Sequence, residues 1–469
     1  MKKMLLLVIT LLCYTHNQAQ TTFAAIQNID PDTGDEPYEI AHGDLDNNGL
    51  TDLVMATYNY SSGIPVQDYI KWYKNDGNGS FSIQATVSST IEWVDGLAVA
   101  DLDGQHGDDI IVTSVSQNKL VCFFSDGLGG FGTEVVIDNA LIGPGQVVTG
   151  DMNNDGHMDI VSVSYDDNKT VWYSNDGSGN FTMEADIENG STDGPYYLDV
   201  VDFDSDGDLD VAVGFFDTRA IEIYYNQFIE NGSTTVSWIK DAVSVTSGGA
   251  YLFAIGFADI NNDGNQDVVK LDFSGGTVEW FAKIKDGAST PGMICDNTII
   301  SNPGAFFVAD LDNDTFNDVI VSDGGVADDA LIWFKGAGNA APSTTPDLIV
   351  NNSYQMFDIT VADFDGDGDN DIATIGNSSD TVDWFENELI TLHSPAPSLD
   401  NVMLYPNPVT TILYLEGLQE SADITVYNVI GQPVLNTTTT NRIDVSALNN
   451  GFYVLKINNQ NLTYKFLKQ

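Results

Sequence analysis

Asp44-Leu45-Asp46-Asn47-Asn48-Gly49-Leu50-Thr51-Asp52 decides the fold, because the stretch does not stand alone. Nonapeptides built like it begin at Asp101, Asp151, Asp202, Asp259, Asp310 and Asp363, at successive separations of 57, 50, 51, 57, 51 and 53 residues. Each places oxygen-bearing side chains at positions one, three, five and nine. The first repeat offers Asp44, Asp46, Asn48 and Asp52, and the second Asp101, Asp103, Gln105 and Asp109. The third has Asp151, Asn153, Asp155 and Asp159; the fourth has Asp202, Asp204, Asp206 and Asp210. The fifth has Asp259, Asn261, Asp263 and Asp267, the sixth Asp310, Asp312, Asp314 and Asp318, and the seventh Asp363, Asp365, Asp367 and Asp371. A motif in phase over such a period marks a repeat array, each unit of which buries its apolar face only against its neighbours.

A second mark follows each loop: Trp72-Tyr73, Phe123-Phe124, Trp172-Tyr173, Tyr224-Tyr225, Trp280-Phe281, Trp333-Phe334 and Trp384-Phe385. The first lies further from its loop because residues near Ser61–Asp68 lengthen a connection. One aromatic pair per repeat, at a near-constant offset, is what packing between repeats requires, although such rings can also stack on sugars. A third mark, Asn75-Asp76-Gly77, Ser125-Asp126-Gly127 and Asn175-Asp176-Gly177, is a strong hairpin turn. Short apolar runs precede the loops (Gly96–Ala100, Phe306–Ala309) and β-branched runs follow them (Asp109–Thr113, Asp159–Val163).

Four strands per unit with no helical period predict an all-β fold, a seven-bladed β-propeller with calcium-binding loops, followed by a small C-terminal β-sandwich. The seventh unit supplies only three strands, ending near Asn387, and Thr22–Ile29 has the character of the missing fourth. Pairing the two would seal a ring and remove an exposed sheet edge. An open solenoid is the alternative, and it leaves that strand unexplained.

The loop spacing suits a hard cation. Alternate side chains point inward, a backbone carbonyl at position seven joins them, and glycine at six permits the left-handed turn. Packing these carboxylates together with no cation would be unfavourable, so up to seven Ca²⁺ ions are expected. Position twelve is Met55, Val112, Ser162, Val213, Lys270, Val321 or Thr374, inside a strand rather than a glutamate leading into a helix. That excludes a helical EF-hand or dockerin. Repeats four and seven, aspartate throughout, are expected to bind tightly, and repeat two, with Gln105 and His106, most weakly. Thr315 stands at the glycine position of repeat six, at a cost of roughly 1 kcal/mol if the turn is kept.

The pattern, D-x-D-x-[DN]-G-x-x-D followed by apolar strand residues and a later W-[YF], resembles the VCBS/FG-GAP repeat family over roughly Thr22 to Glu388. Propeller heads of integrin α-subunits and some fungal lectins belong to it. The resemblance implies a seven-bladed ring with calcium in blade loops, and it fixes no ligand.

Charge and leader set the compartment. The chain has 69 acidic residues against 16 basic ones, a net charge of −53, which seven divalent ions would offset by only 14. So negative a surface repels nucleic acid and anionic membranes. Lys2 and Lys3, the apolar run Met4–Cys13 and the polar Tyr14–Gln20 have the order of a secretory signal over residues 1–20. The run is too short to span a bilayer stably, and Leu12 before Cys13 is not the small residue that lipoprotein processing prefers. No transmembrane segment follows. The remaining cysteines, Cys122 and Cys295, fall in distant repeats and are expected as buried free thiols.

The propeller is expected over residues 21–389 and a proline-bearing linker over 390–400. From there the loops vanish and lysines appear. Tyr405-Pro406-Asn407-Pro408, Ile424–Asn428, Gly431-Gln432, Ile443-Asp444-Val445-Ser446, Gly451-Phe452-Tyr453 and Lys465-Phe466-Leu467-Lys468 follow in order. Residues 401–469 look like a type A sorting domain of the Bacteroidetes type IX secretion system. The resemblance implies that secretion machinery as partner, passage through the periplasm, and a secreted or outer-surface protein. A generic sandwich is the alternative.

For the array, a non-catalytic module for adhesion or carbohydrate or protein binding is the leading expectation, with variable loops at Tyr58–Tyr69 and Gln227–Ser237 as ligand candidates. An extracellular polysaccharide lyase or hydrolase is the runner-up, and a purely structural surface protein the third reading. A lyase needs a base, and His42, His106 and His157 lie in or beside the loops while His393 lies in the linker. No nucleophile elbow, zinc motif or phosphate loop occurs.

Overall fold

The computed structural model describes residues 22–34, 36–58, 68–189, 193–232, 235–240, 245–246, 252–282, 292–324, 330–338, 341–351, 355–389, 403–416, 422–428, 433–457 and 462–469. The signal segment 1–20, the linker 390–400 and most of the connection after Tyr58 lie outside them. The chain divides into two compact units, Met1–Leu389 and Ile390–Gln469.

Among the described residues the first unit is built from seven antiparallel sheets. The only helical element among the described residues is a 3-10 turn at Asn377–Ser379. The first sheet runs Pro37–Gly43, Asp52–Thr57, Ile70–Gly77, Ser80–Ile83, in chain order. The next five repeat this plan from the first strands Val94–Ala100, Pro144–Gly150, Pro195–Val201, Leu252–Ala258 and Pro303–Ala309. The seventh contains Met356–Ala362, Asp371–Gly376 and Thr381–Phe385, and takes its fourth strand from Gln27–Asp30, with Gln27 opposite Trp384 and Asn28 opposite Asp383. The closing segment predicted from the sequence therefore pairs where expected, with an isolated bridge from Phe23 to Asn387 before it.

Burial explains the residue pattern. The second strand of every sheet is buried at all six positions, as in Asp109–Ser114 and Asp371–Gly376, which is why these strands read as unbroken β-branched and apolar runs. Fourth strands such as Ser80–Ile83 and Val135–Asp138 are largely open to solvent. First strands lie against one another in succession, and Met356–Ala362 also lies against Pro37–Gly43, so the succession returns to its start.

The aromatic marks are core. Trp72, Tyr73, Trp172, Tyr173, Trp384 and Phe385 are all buried. Strand register corrects two of the pairs. Tyr173 faces Ile160, and the residues in that place are Phe123, facing Ile110, and Tyr224, facing Val211. The true pairs of repeats two and four are thus Cys122-Phe123 and Ile223-Tyr224, one residue earlier than the sequence marks. Cys122 holds the tryptophan position, and Phe124, two residues on and so on the same strand face, fills the volume.

Neighbouring sheets are joined at the hairpins. A Cβ on Gly79 would meet the Trp384 ring at 2.0 Å, one on Gly129 the Trp72 ring at 2.9 Å, and one on Gly179 the Phe124 ring at 2.4 Å. Each glycine seats its hairpin on the aromatic of the preceding sheet, the seventh counting as precedent to the first. Beside them, Asn75 Nδ2 donates to Phe364 O at 2.7 Å, Asn175 Nδ2 to Leu102 O at 2.7 Å, Asn226 Nδ2 to Met152 O at 2.8 Å and Asn387 Nδ2 to Leu311 O at 2.8 Å. Cys122 and Cys295 are buried free thiols.

Among the described residues the second unit has a three-stranded sheet (Met403–Tyr405, Ile412–Glu416, Arg442–Asp444) and a four-stranded one (Pro433–Thr439, Ala422–Asn428, Gly451–Ile457, Leu462–Lys468). Leu413, Leu415 and Ile443 of the first pack with Ile424, Val426, Leu455, Ile457 and Phe466 of the second in one apolar core. Asn407 of the Tyr-Pro-Asn-Pro segment ties to the last strand, accepting from Leu467 N–H and donating to Lys465 O.

Candidate functional site

Every acidic loop links the first and second strands of a sheet, and two anchors shape it. Position two is apolar and buried in all seven: Leu45, Leu102, Met152, Phe203, Ile260, Leu311 and Phe364. Its N–H donates to Oδ2 of the aspartate at position nine, at 3.0 Å in Leu45–Asp52 and 2.9 Å in Phe203–Asp210. The other oxygen of that aspartate accepts from the third strand, as Asn75 N–H does to Asp52 Oδ1 at 2.7 Å. Position nine thus fastens the loop to two strands at once, a role the motif alone did not reveal.

Position one organises the turn. Its Oδ1 accepts the N–H of position five and its Oδ2 that of position six, at 2.9 and 2.9 Å in Asp44, 2.9 and 2.8 Å in Asp259, and 3.1 and 2.8 Å in Asp310. The second loop departs from this, with Asp101 Oδ1 accepting from Gly104 N–H and Gln105 exposed.

The carboxylates converge. Asp44, Asp46 and Asp52 offer oxygens within 4.8 Å of one another, as do Asp101, Asp103 and Asp109; Asp202, Asp204 and Asp206; and Asp310, Asp312 and Asp318. Asp206, Asp208 and Glu230 form a further group. Burial, opposed by the backbone hydrogen bonds, pushes Asp52, Asp109, Asp159 and Asp318 up to about 7, and Asp210 and Asp371 up to about 8. A cation among them would hold them ionised.

Position three supplies the test of fit. Asp46 Oδ1, Asn261 Oδ1 and Asp312 Oδ1 are buried with no hydrogen-bond partner. Unpartnered oxygens at this one position in repeats one, five and six, among converging carboxylates, fit the oxygen donors that a hard cation would take. In two loops a lysine stands close: Lys74 pairs with Asp46 Oδ2, and Lys335 with Asp312 Oδ2 and with Asp314 at 3.2 Å.

Of the histidines, His42 is held in the packing. His42 Nδ1 meets Thr360 Oγ1 at 2.5 Å and burial lowers its pKa. His106 and His157 are exposed, beside Gly127 and Gly177 of the next hairpins.

A cleft of about 670 Å³ opens where the Gln227–Ser237 insertion meets the third sheet. Trp238, half-buried, and Phe228 face Glu184, Asp186 and the loop residues Asn153 and Asp155 across it. Of the two loops picked out as ligand candidates, this one borders a concave surface. The other lies mostly outside the described residues.

Comparison with known proteins places these features. Residues 44–112, 101–162, 151–213 and 310–374 match the FG-GAP-like repeat family, and residues 403–469 match the secretion system C-terminal sorting domain. A chain of the crystal structure of BBS1N in complex with ARL6DN, soaked with lead, is similar in fold, with a TM-score of 0.53 at 10% identity over 80% of this chain and 99% of that one. At that identity the likeness is one of fold alone. No curated protein matches the chain by sequence.

Proposed function

Because this chain belongs to the FG-GAP-like repeat family and carries a sorting domain that makes it a secreted protein of the cell surface, we propose that it is a calcium-held, seven-bladed propeller binding an extracellular glycan or protein without transforming it. The sorting domain is the part that engages the type IX secretion machinery. No helix among the described residues is long and apolar enough to cross a membrane.

The succession of first strands that returns to its start supports a closed ring of seven blades. In the loops, side chains at positions one, three, five and nine would hold Ca²⁺. The ion would supply charge compensation and fix the loop face as a rigid platform.

The observation that carries the binding reading is the Trp238 cleft. It is concave, joins an aromatic face to carboxylate and amide groups, and abuts the third acidic loop. Rings beside hydrogen-bonding side chains suit a sugar or an extended peptide. For the non-catalytic part, His42 is held against Thr360, and neither His106 nor His157 is among the residues lining that cleft.

Retention of the purified chain on a panel of polysaccharides and glycans, in calcium and again in chelator, tests the reading. Calcium-dependent retention on one class, lost in Trp238→Ala, is expected. Retention indifferent to both changes would overturn it, and new ultraviolet absorbance from unsaturated sugars would make the protein a lyase instead.

A further inference from the structure

First strands of all seven sheets line one cavity of about 440 Å³. The acids on its wall come from only four of the seven sheets, and only Glu39 and Asp358 share a repeat position. Glu39 comes from the first sheet, Asp95 from the second, Asp199 from the fourth and Asp358 from the seventh. Among the described residues, none that lines the cavity is a lysine, arginine or histidine.

Two of these acids have structural work. Asp358 accepts from Ile40 N–H at 2.9 Å and Ile359 N–H at 2.8 Å, and Asp199 from Val200 N–H at 2.8 Å and Phe257 N–H at 3.1 Å. Each joins adjacent first strands, which have no ladder between them. Asp95 is different. It is 3% exposed, the Tyr196 hydroxyl donates to it, and its Oδ2 has no hydrogen-bond partner. Burial and the nearby Asp358 and Asp95 raise the Glu39 carboxyl. A buried carboxylate oxygen facing a cavity without a partner is costly unless a ligand completes it.

Several aromatic rings of the wall form a connected series. Tyr196 and Tyr197 centroids lie 5.0 Å apart, Tyr197 and Phe253 6.5 Å, Phe253 and Phe357 6.4 Å, and Phe357 and Tyr38 6.3 Å. Calcium takes a shell of oxygens, whereas carboxylates set among π-faces match a cation with an apolar body. The volume falls within the range of small-molecule sites, roughly 300–1,000 Å³.

We propose that this cavity binds an organic cation, a protonated amine or guanidinium on an apolar body, with its charge against Asp95 and Glu39 and its body between the rings. Each first strand runs into its acidic loop, so Tyr38, Asp95, Tyr196 and Phe357, near the strand starts, lie at the end away from those loops. The site is therefore separate from the metal loops and from the Trp238 cleft, and it does not rest on the glycan-or-protein reading.

Calorimetric titration of the calcium-saturated full chain with 2-phenylethylammonium, and with uncharged 2-phenylethanol as its counterpart, tests this. One saturable site is expected for the ammonium, at least about tenfold weaker for the alcohol and about tenfold weaker in Asp95→Asn. Glu39→Gln is the second variant, expected to weaken binding in the same direction should Asp95→Asn not fold. Absence of saturable binding, equal binding of the alcohol, or displacement by further calcium would overturn the assignment. Failure here leaves the glycan result untouched, and the converse holds.

Discussion

Thr315 sits where the backbone turns left-handed: its φ is 75°, and Gly49, Gly156, Gly207, Gly264 and Gly368 hold the same place at φ between 82° and 102°. The turn is kept because Thr315 N–H still reaches Asp310 Oδ2 at 2.8 Å. Left-handed backbone costs a β-branched residue on the order of 1–2 kcal/mol, offset in part by the greater unfolded freedom of glycine. Thr315→Gly should therefore stabilise the chain by about 1 kcal/mol, read as a higher denaturant midpoint with an unchanged slope. Position four is left-handed too, in Asn47, Gly104, Asn154, Ser205, Asn262, Asn313 and Gly366. Asparagine, serine and glycine there were in plain view, yet the cation pattern drew attention to alternate positions. The apolar residue at position two was equally visible, and only its burial and its bond to position nine gave it meaning.

Hairpins show what strand patterns hide. Gly77 and Gly79 are legible as turn residues, but the ring that Gly79 touches belongs to a sheet about three hundred residues away. The consequence separates two glycines of similar backbone. Gly79 (φ 67°) faces the Trp384 ring at 2.0 Å, whereas Gly49 (φ 82°) has nothing within 4 Å of an added Cβ. Gly79→Ala should cost about 2–4 kcal/mol, strain plus overpacking, and Gly49→Ala about 1 kcal/mol from strain alone. Equal losses on urea unfolding would mean that the hairpin does not carry the join. Register was the part misread, in repeats two and four. Phe123-Phe124 and Tyr224-Tyr225 are aromatic doublets, and the eye takes a doublet for the pair, although the offset of 21 residues from the first aspartate in repeats three, five and seven selects Cys122 and Ile223. Pairing with Ile110 and Val211 settles the matter, because one residue exchanges the two faces of a strand.

At the scale of the whole molecule, repetition made the array legible and its cavity illegible. Glu39 and Asp358 share an offset that the other repeats do not fill with an acid, Asp95 and Asp199 stand at two further offsets, and all four meet only once the strands are assembled. Their burial has a measurable sign. It raises Asp95 and Asp199 to about 6 and Asp358 to about 7, with Glu39 raised as well. A carboxyl raised in the folded chain contributes stability that is fully present below its unfolded value near 4 and is lost as pH climbs through the folded one. The calcium-saturated chain should accordingly melt lower at about pH 8 than at about pH 5, and Asp95→Asn should flatten that slope. A melting temperature that rises over the same interval would show that these acids do not govern it.

Gln27–Asp30 has a further consequence. It lies in the same sheet as Thr381–Phe385, so the two ends of the array are neighbours and the order of the sheets along the chain is a matter of where it was cut. A circular permutant of the array that joins Leu389 to Thr22 through a short linker, and opens the chain between the exposed Asn139 and Ala140, keeps every strand pairing of the array. The first repeat is first in the gene only; in the folded array it has a neighbour on either side.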